Sequence, residues 1–271
     1  MKRMIKRLFR VAISVSLLTL VSGCVTTEEK IFNTDPSDEK ALQTYVDLAL
    51  VYASNGDFEQ AKSRLKLARE IDDSSARVYA ATGYLMQQQG DLELAEENYL
   101  KALNINPGFQ KARNNYGAFL YSEQRYQDAH DQFILVAKDQ AYPKRYFAYQ
   151  NLGFCAVKMN KTDLAESYFK KALLLNVNLY RSVIELAEIE YGNRNYKAAD
   201  RYLSQYADIA MLNEFPENPK VLWLRIRIAI AQGNRTEQMH NVGILSRQFP
   251  DSDEYELYLR SLGNASGKVV R

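Results

Sequence analysis

The sequence predicts an all-α chain: a right-handed superhelical solenoid of about six helix-turn-helix repeats, closed by a terminal helix. Two observations predict it. Small residues recur at a nearly fixed spacing of 34 along most of the chain. Glycine and proline are scarce, 12 and 6 of 271, while alanine reaches 28. That balance favours helices and argues against sandwiches and barrels, which need many turns. With 46% hydrophobic and 25% charged residues the composition is globular. Two cysteines rule out a disulfide framework, and His130 and His240 are too few and too far apart for a zinc site.

The first element, residues 1–23, reads as a targeting segment. Lys2, Arg3, Lys6, Arg7 and Arg10 precede an uncharged stretch from Val11 to Gly23. A basic start, a short apolar run and small residues at its end describe a secretory signal. The run is shorter than the roughly 20 residues a membrane span needs. Val21-Ser22-Gly23-Cys24 resembles the bacterial lipobox, which implies that Cys24 becomes the first mature residue and carries diacylglycerol and N-acyl lipid. The chemistry needs a thiol, because sulfur attacks near neutral pH where a hydroxyl would not. Several acyl chains anchor stably, since each buried methylene contributes about 0.8 kcal/mol. Lipoproteins with aspartate after the cysteine stay in the inner membrane; Val25 here implies the outer membrane, periplasmic face. Without the leader the balance is 30 basic against 33 acidic residues, or −3. The net charge of +2 is thus a property of the leader, and no broad basic surface remains for nucleic acid. Residues 24–40, polar with Pro36 near the end, read as a flexible linker.

From residue 41 to 262 the chain repeats itself. Ala61, Ala95, Ala129, Ala165 and Ala199 are spaced 34, 34, 36 and 34 apart. Four residues on stand Leu65, Tyr99, Phe133, Phe169 and Leu203; twelve residues before lie Ala49, Gly83, Gly117, Gly153 and Ala187. Seven residues on lie Ala68, Ala102, Val136, Ala172 and Tyr206. Of the fifteen alanine, twelve-before and seven-after positions, 13 are glycine or alanine; chance would give about two. This pattern resembles the tetratricopeptide repeat, two antiparallel helices A and B with small residues where they approach. Repeats are expected at 42–75, 76–109, 110–143, 146–179 and 180–213, and a degenerate one at 219–252. In the last, Ile226 replaces the small residue and Gln238 the alanine. Large residues such as Tyr45, Leu48, Tyr52, Tyr149, Leu152 and Phe169 are expected between the helices. Insertions near 141–143 and 211–219 interrupt the period. A terminal helix is expected at 253–262 and a frayed tail at 263–271.

Catalytic chemistry finds no foothold. There is no phosphate-binding glycine loop, no His-Glu-x-x-His and no Gly-x-Ser-x-Gly. Cys155 is expected to be a buried, reduced thiol. The chain reads as a non-enzyme without cofactors apart from the Cys24 lipid, and as a monomer.

In tetratricopeptide repeats, helix A positions 2, 5, 9 and 12 face the concave surface. That resemblance assigns a protein-binding groove to Val46, Leu50, Arg77, Tyr84, Lys111, Asn114, Ala118, Tyr121, Phe147, Gln150, Phe154 and Val157. Amides can bond a peptide backbone and aromatics offer large contact area at low entropic cost. The lysine-asparagine set that grips a terminal carboxylate in chaperone-binding members is not matched, because no lysine stands at position 5.

Ala112-Arg113-Asn114-Asn115-Tyr116-Gly117-Ala118-Phe119-Leu120 resembles the third-repeat motif of the type IV pilus biogenesis pilotins. Asn151-Leu152-Gly153-Phe154-Cys155 and Phe249-Pro250-Asp251-Ser252-Asp253-Glu254-Tyr255 extend the likeness over the whole chain. The resemblance implies an outer-membrane lipoprotein that binds the secretin subunit of the pilus machinery and promotes its localisation and multimer assembly. The alternative is a cell-envelope adaptor that regulates a periplasmic enzyme such as a peptidoglycan hydrolase.

Overall fold

A computed structural model describes residues 36–266, and among them every regular element is a helix. The helices form six antiparallel pairs. They are α1 (Pro36–Ser54) with α2 (Phe58–Ile71), α3 (Ala76–Gln89) with α4 (Leu92–Ile105), and α5 (Gln110–Ser122) with α6 (Tyr126–Lys138). Then come α7 (Arg145–Lys158) with α8 (Thr162–Leu175), α9 (Tyr180–Gly192) with α10 (Tyr196–Leu212), and α11 (Pro219–Gln232) with α12 (Arg235–Gln248). Helix α13 (Asp253–Ser266) ends the array. The leader, Cys24 and most of the expected linker lie outside the described residues.

Two boundaries differ from expectation. The helix begins at Pro36, so 36–40 are not linker. Proline suits a first helical turn, whose N–H has no intrahelical partner. The terminal helix runs on past Leu262 to Ser266.

Each A helix turns into its B helix through one left-handed residue: Gly56, Gly90, Gln124, Asn160, Arg194 and Gly233, with φ between 58° and 82°. Glycine meets that demand at no steric cost, and three repeats do without it. The side chains of Asp57, Asp91 and Asn234 then cap the following B helix, accepting from the N–H of Gln60, Leu94 and Glu237.

Packing explains the recurring small residues. Ala61, Ala95, Ala129, Ala165 and Ala199 are all fully buried. A Cβ built on Gly83 would meet the Tyr99 ring at 3.1 Å, and one on Gly117 would stand 2.7 Å from Phe133 Cε1. Gly153 is similarly closed by Phe169. The pairs lie 16 residues apart, and their volumes compensate. Glycine faces an aromatic in repeats two to four, alanine faces leucine in repeats one and five (Ala49 with Leu65, Ala187 with Leu203), and buried Ile226 answers to half-buried Val242 in repeat six. Close packing tolerates a change of partner when the summed volume is kept. Leu48, expected between helices, is instead 38% exposed.

The core runs along the stack. One cluster joins repeats two to five around Tyr99, Phe119, Phe133 and Phe169. Smaller clusters serve repeat one and the join of repeats five and six. In the last repeat Leu222, Ile226 and Leu245 are covered by Trp223, Tyr255 and Tyr258, so α13 seals the end. The second insertion lengthens α10 to 17 residues and leaves Met211 and Leu212 about three-quarters exposed, at 74% and 76%.

Candidate functional site

Successive A helices touch one another as well as their own B helices: α3 meets α5, α5 meets α7, and α9 meets α11. This places the A helices on the tighter side of the stack, where their outward faces line a groove. The groove holds two hollows. One, of about 50 Å³, lies between α1, α3 and α5 and is lined by Leu50, Arg77, Lys111 and Asn115 over the edge of Val46. The other, about 190 Å³, is lined by Ala118, Tyr121, Phe133, Asn151, Phe154 and Arg181.

The expected groove residues divide. Leu50 and Arg77 are half-buried in the first hollow, and exposed Lys111 lies 3.8 Å from Asp47 across two repeats. Tyr84 is half-buried against the core. Ala118 is exposed; Tyr121 stands edge-on to Tyr126 with centroids 5.3 Å apart. Asn114 Oδ1 accepts a long hydrogen bond, 3.4 Å, from Asn151 Nδ2. Phe147, exposed, packs 4.6 Å from Tyr146; Phe154 stands edge-on to Phe169; Val157 is exposed.

Two expectations need correction. Val46 is only 4% exposed and belongs to the first-repeat core. Gln150 is 6% exposed, and its Oε1 accepts from Ser182 Oγ at 3.1 Å. Both lie on the flank where one A helix meets the next, so a neighbour covers them.

The groove also takes in residues the sequence reading does not assign to it, among them Gln43, Asn115, Asn151 and Arg181. A signal for Arg181 was present. Position 2 of the third and fourth repeats is Lys111 and Phe147, and the same register in the fifth lands on Arg181. Asn115 and Asn151 each sit one position past the assumed one, which a period of 3.6 permits.

The second hollow combines an apolar floor with polar rims. The Arg181 guanidinium lies 4.7 Å above the Phe154 ring. Burial, then neighbouring groups, hold the Tyr121 phenol above its ordinary range, with Arg181 pulling the other way. Behind it the Cys155 thiol, fully buried, is pushed up to about 12 by desolvation. Further along, Arg227 stacks on Tyr191 and Trp223 while bonding Glu188 at 2.6 Å, and Lys220 bonds Glu185 at 2.7 Å. Among the described residues no group of three His, Cys, Asp or Glu is placed to hold a metal, and no helix is long and apolar enough to cross a membrane. The surface offers contact area, amides and stacked cations, which suits holding a polypeptide.

Comparison with known proteins agrees with this architecture. The tetratricopeptide repeat family pattern matches residues 42–74, 76–109 and 148–176. The type IV pilus assembly protein PilF of Pseudomonas aeruginosa is 34% identical over 248 residues, 91% of this chain and 96% of that protein. The solved structure of P. aeruginosa PilF superposes with a TM-score of 0.75, covering 83% of this chain and 99% of the other. That of PilW, described as a widely conserved type IV pilus biogenesis factor, is 26% identical with a TM-score of 0.70, covering 81% and 99%.

Proposed function

Because this chain belongs to the PilF family of type IV pilus assembly proteins, we propose that it acts as a pilotin: a lipid-anchored, non-enzymatic carrier of the secretin. In this reading Cys24 is acylated and moors the protein to the periplasmic face of the outer membrane. The A-helix groove holds a segment of the secretin subunit, and the lipid carries the pair to the membrane where the subunits assemble.

The observation that carries the reading is the coupling of two features in one chain. A lipobox-like Val21-Ser22-Gly23-Cys24 precedes the array, and the array exposes a partly apolar, amide-edged groove. An anchor without a binding surface would deliver nothing, and a groove without an anchor would have no address.

The test is substitution of Cys24 by alanine in a pilus-forming bacterium. Membrane fractionation should find the variant out of the outer membrane, and heat-resistant secretin multimers should fall. Normal multimers in a strain lacking the whole gene would end the pilotin reading.

A further inference from the structure

The groove carries a charge with no partner. Three cations stand at groove-facing positions of the fifth and sixth repeats: Arg181, Lys220 and Arg227. Lys220 bonds Glu185, and Arg227 bonds Glu188. Glu185 lies one turn beyond Arg181 on α9 but is engaged across the repeat boundary by Lys220. Among the described residues no carboxylate lies within ion-pair distance of Arg181, although its side chain is held in place over the Phe154 ring. Three positive groups against two negative ones leave this stretch with a net positive charge, concentrated at Arg181.

The position of that charge matters. Arg181 is exposed while its guanidinium lies over Phe154, so its N–H groups remain available to grip a carboxylate with two parallel hydrogen bonds. Beside it the second hollow of about 190 Å³ has an apolar floor in Phe133, Phe154 and Ala118. Tyr121 and Asn151 also line the hollow, and Asn151 donates to Asn114 Oδ1. Arg181 stands on α9, Phe154 and Asn151 on α7, Phe133 on α6, and Ala118, Tyr121 and Asn114 on α5.

We propose that this hollow recognises an acidic residue in an extended segment of the bound polypeptide, its carboxylate on Arg181 and a neighbouring apolar side chain in the space over Phe133 and Phe154. The amides of Asn114 and Asn151 hold the backbone between them. This rests on the groove being the binding surface, and it adds which chemistry the groove selects.

The test uses the full-length chain in detergent micelles and a phage-displayed library of random twelve-residue peptides. Selected peptides should carry Asp or Glu at a fixed spacing from an apolar residue. A synthetic peptide from the selection and its Asp→Asn or Glu→Gln twin should then differ about tenfold in Kd, as loss of a charge-assisted pair implies. In Arg181→Met, which keeps the apolar stem, the two peptides should bind alike. Arg181→Lys should keep part of the difference, because the charge stays and the planar fork is lost. Circular dichroism of each variant reports that the array is intact.

Equal binding of the acid and amide peptides to the unaltered chain, or an unchanged ratio in Arg181→Met, overturns the inference. If the peptides still need Tyr121 and Asn114 while ignoring the acid, the groove reading survives and only the acid selectivity falls. If binding is indifferent to Tyr121, Asn114 and Arg181 together, or no peptide is selected, both fall.

Discussion

The ring of Phe133 fills the space above Gly117, so that a methyl group added to the glycine would stand 2.7 Å from Cε1. The same relation joins Gly83 to Tyr99 and Gly153 to Phe169. In repeats two to four, therefore, the A helix approaches its B helix only because one residue has no side chain and another, 16 positions later, has a flat one.

Substituting Gly117 by leucine should therefore destabilise the array by overpacking, about 1–3 kcal/mol in chemical denaturation. Adding Phe133→Ala should recover part of the loss, since it empties the contested volume. A wild-type midpoint for Gly117→Leu alone would refute the packing.

Open and enclosed polar residues of the A helices should separate in experiment. Tyr121→Ala or Asn114→Ala should weaken peptide binding by about 1–2 kcal/mol and leave the helical dichroism intact. Gln150→Ala should instead cost about 1–2 kcal/mol of stability, by leaving the buried Ser182 hydroxyl without its acceptor, and should spare binding. Reversed effects in isothermal titration and thermal melts would place Gln150 on the open face.

Arg194 holds a left-handed backbone at φ 61° in the turn where Gly56, Gly90 and Gly233 stand in other repeats. Arg194→Gly should raise stability by about 0.5–1 kcal/mol, because relief of the Cβ clash exceeds the added unfolded-state entropy. The readout is the unfolding midpoint, which should rise; an unchanged or lower midpoint would refute the strain at Arg194.

Acid should expose the contribution of Glu96. Its carboxylate accepts from the Tyr116 hydroxyl at 2.6 Å and from Arg125 at 2.8 Å. Burial opposes the charge, yet the hydrogen bonds from Tyr116 and Arg125 outweigh it, and the carboxyl titrates below its ordinary 4.5. A group with a lowered folded pKa stabilises above its unfolded pKa, and the contribution fades as pH falls through the folded one. Glu96→Gln should thus cost about 1 kcal/mol at pH 7, with the gap to wild type closing below about pH 4.5. A pH-independent gap would deny the charge any role.

The fold was largely legible because its signal is repeated. One alanine says little, but Ala61, Ala95, Ala129, Ala165 and Ala199 at one spacing identify the helix pair, its turn and its buried seam. The groove was less legible. Helical period alone cannot distinguish a face open to solvent from a flank covered by the next repeat. Val46 and Gln150, which the period sets on the open face, are enclosed on such a flank. Arg181 occupies in the fifth repeat the register of Lys111 and Phe147, a signal that appears only when the period is extended past the fourth. The helix start at Pro36 is hidden by the polar composition of 24–40, which reads as linker, although proline is a good first helical residue.

Every helix in the array packs against helices close to it in the chain, and α13 rests on α11 alone among the A helices. Among the described residues the helices of the first and last repeats share no core cluster. Such an assembly melts like a zip, not like a vault: heat or tension would release its weakest end first and leave the remainder standing. Amide exchange should then run as a gradient, fastest around α12 and α13 and slowest near Phe119 and Phe133.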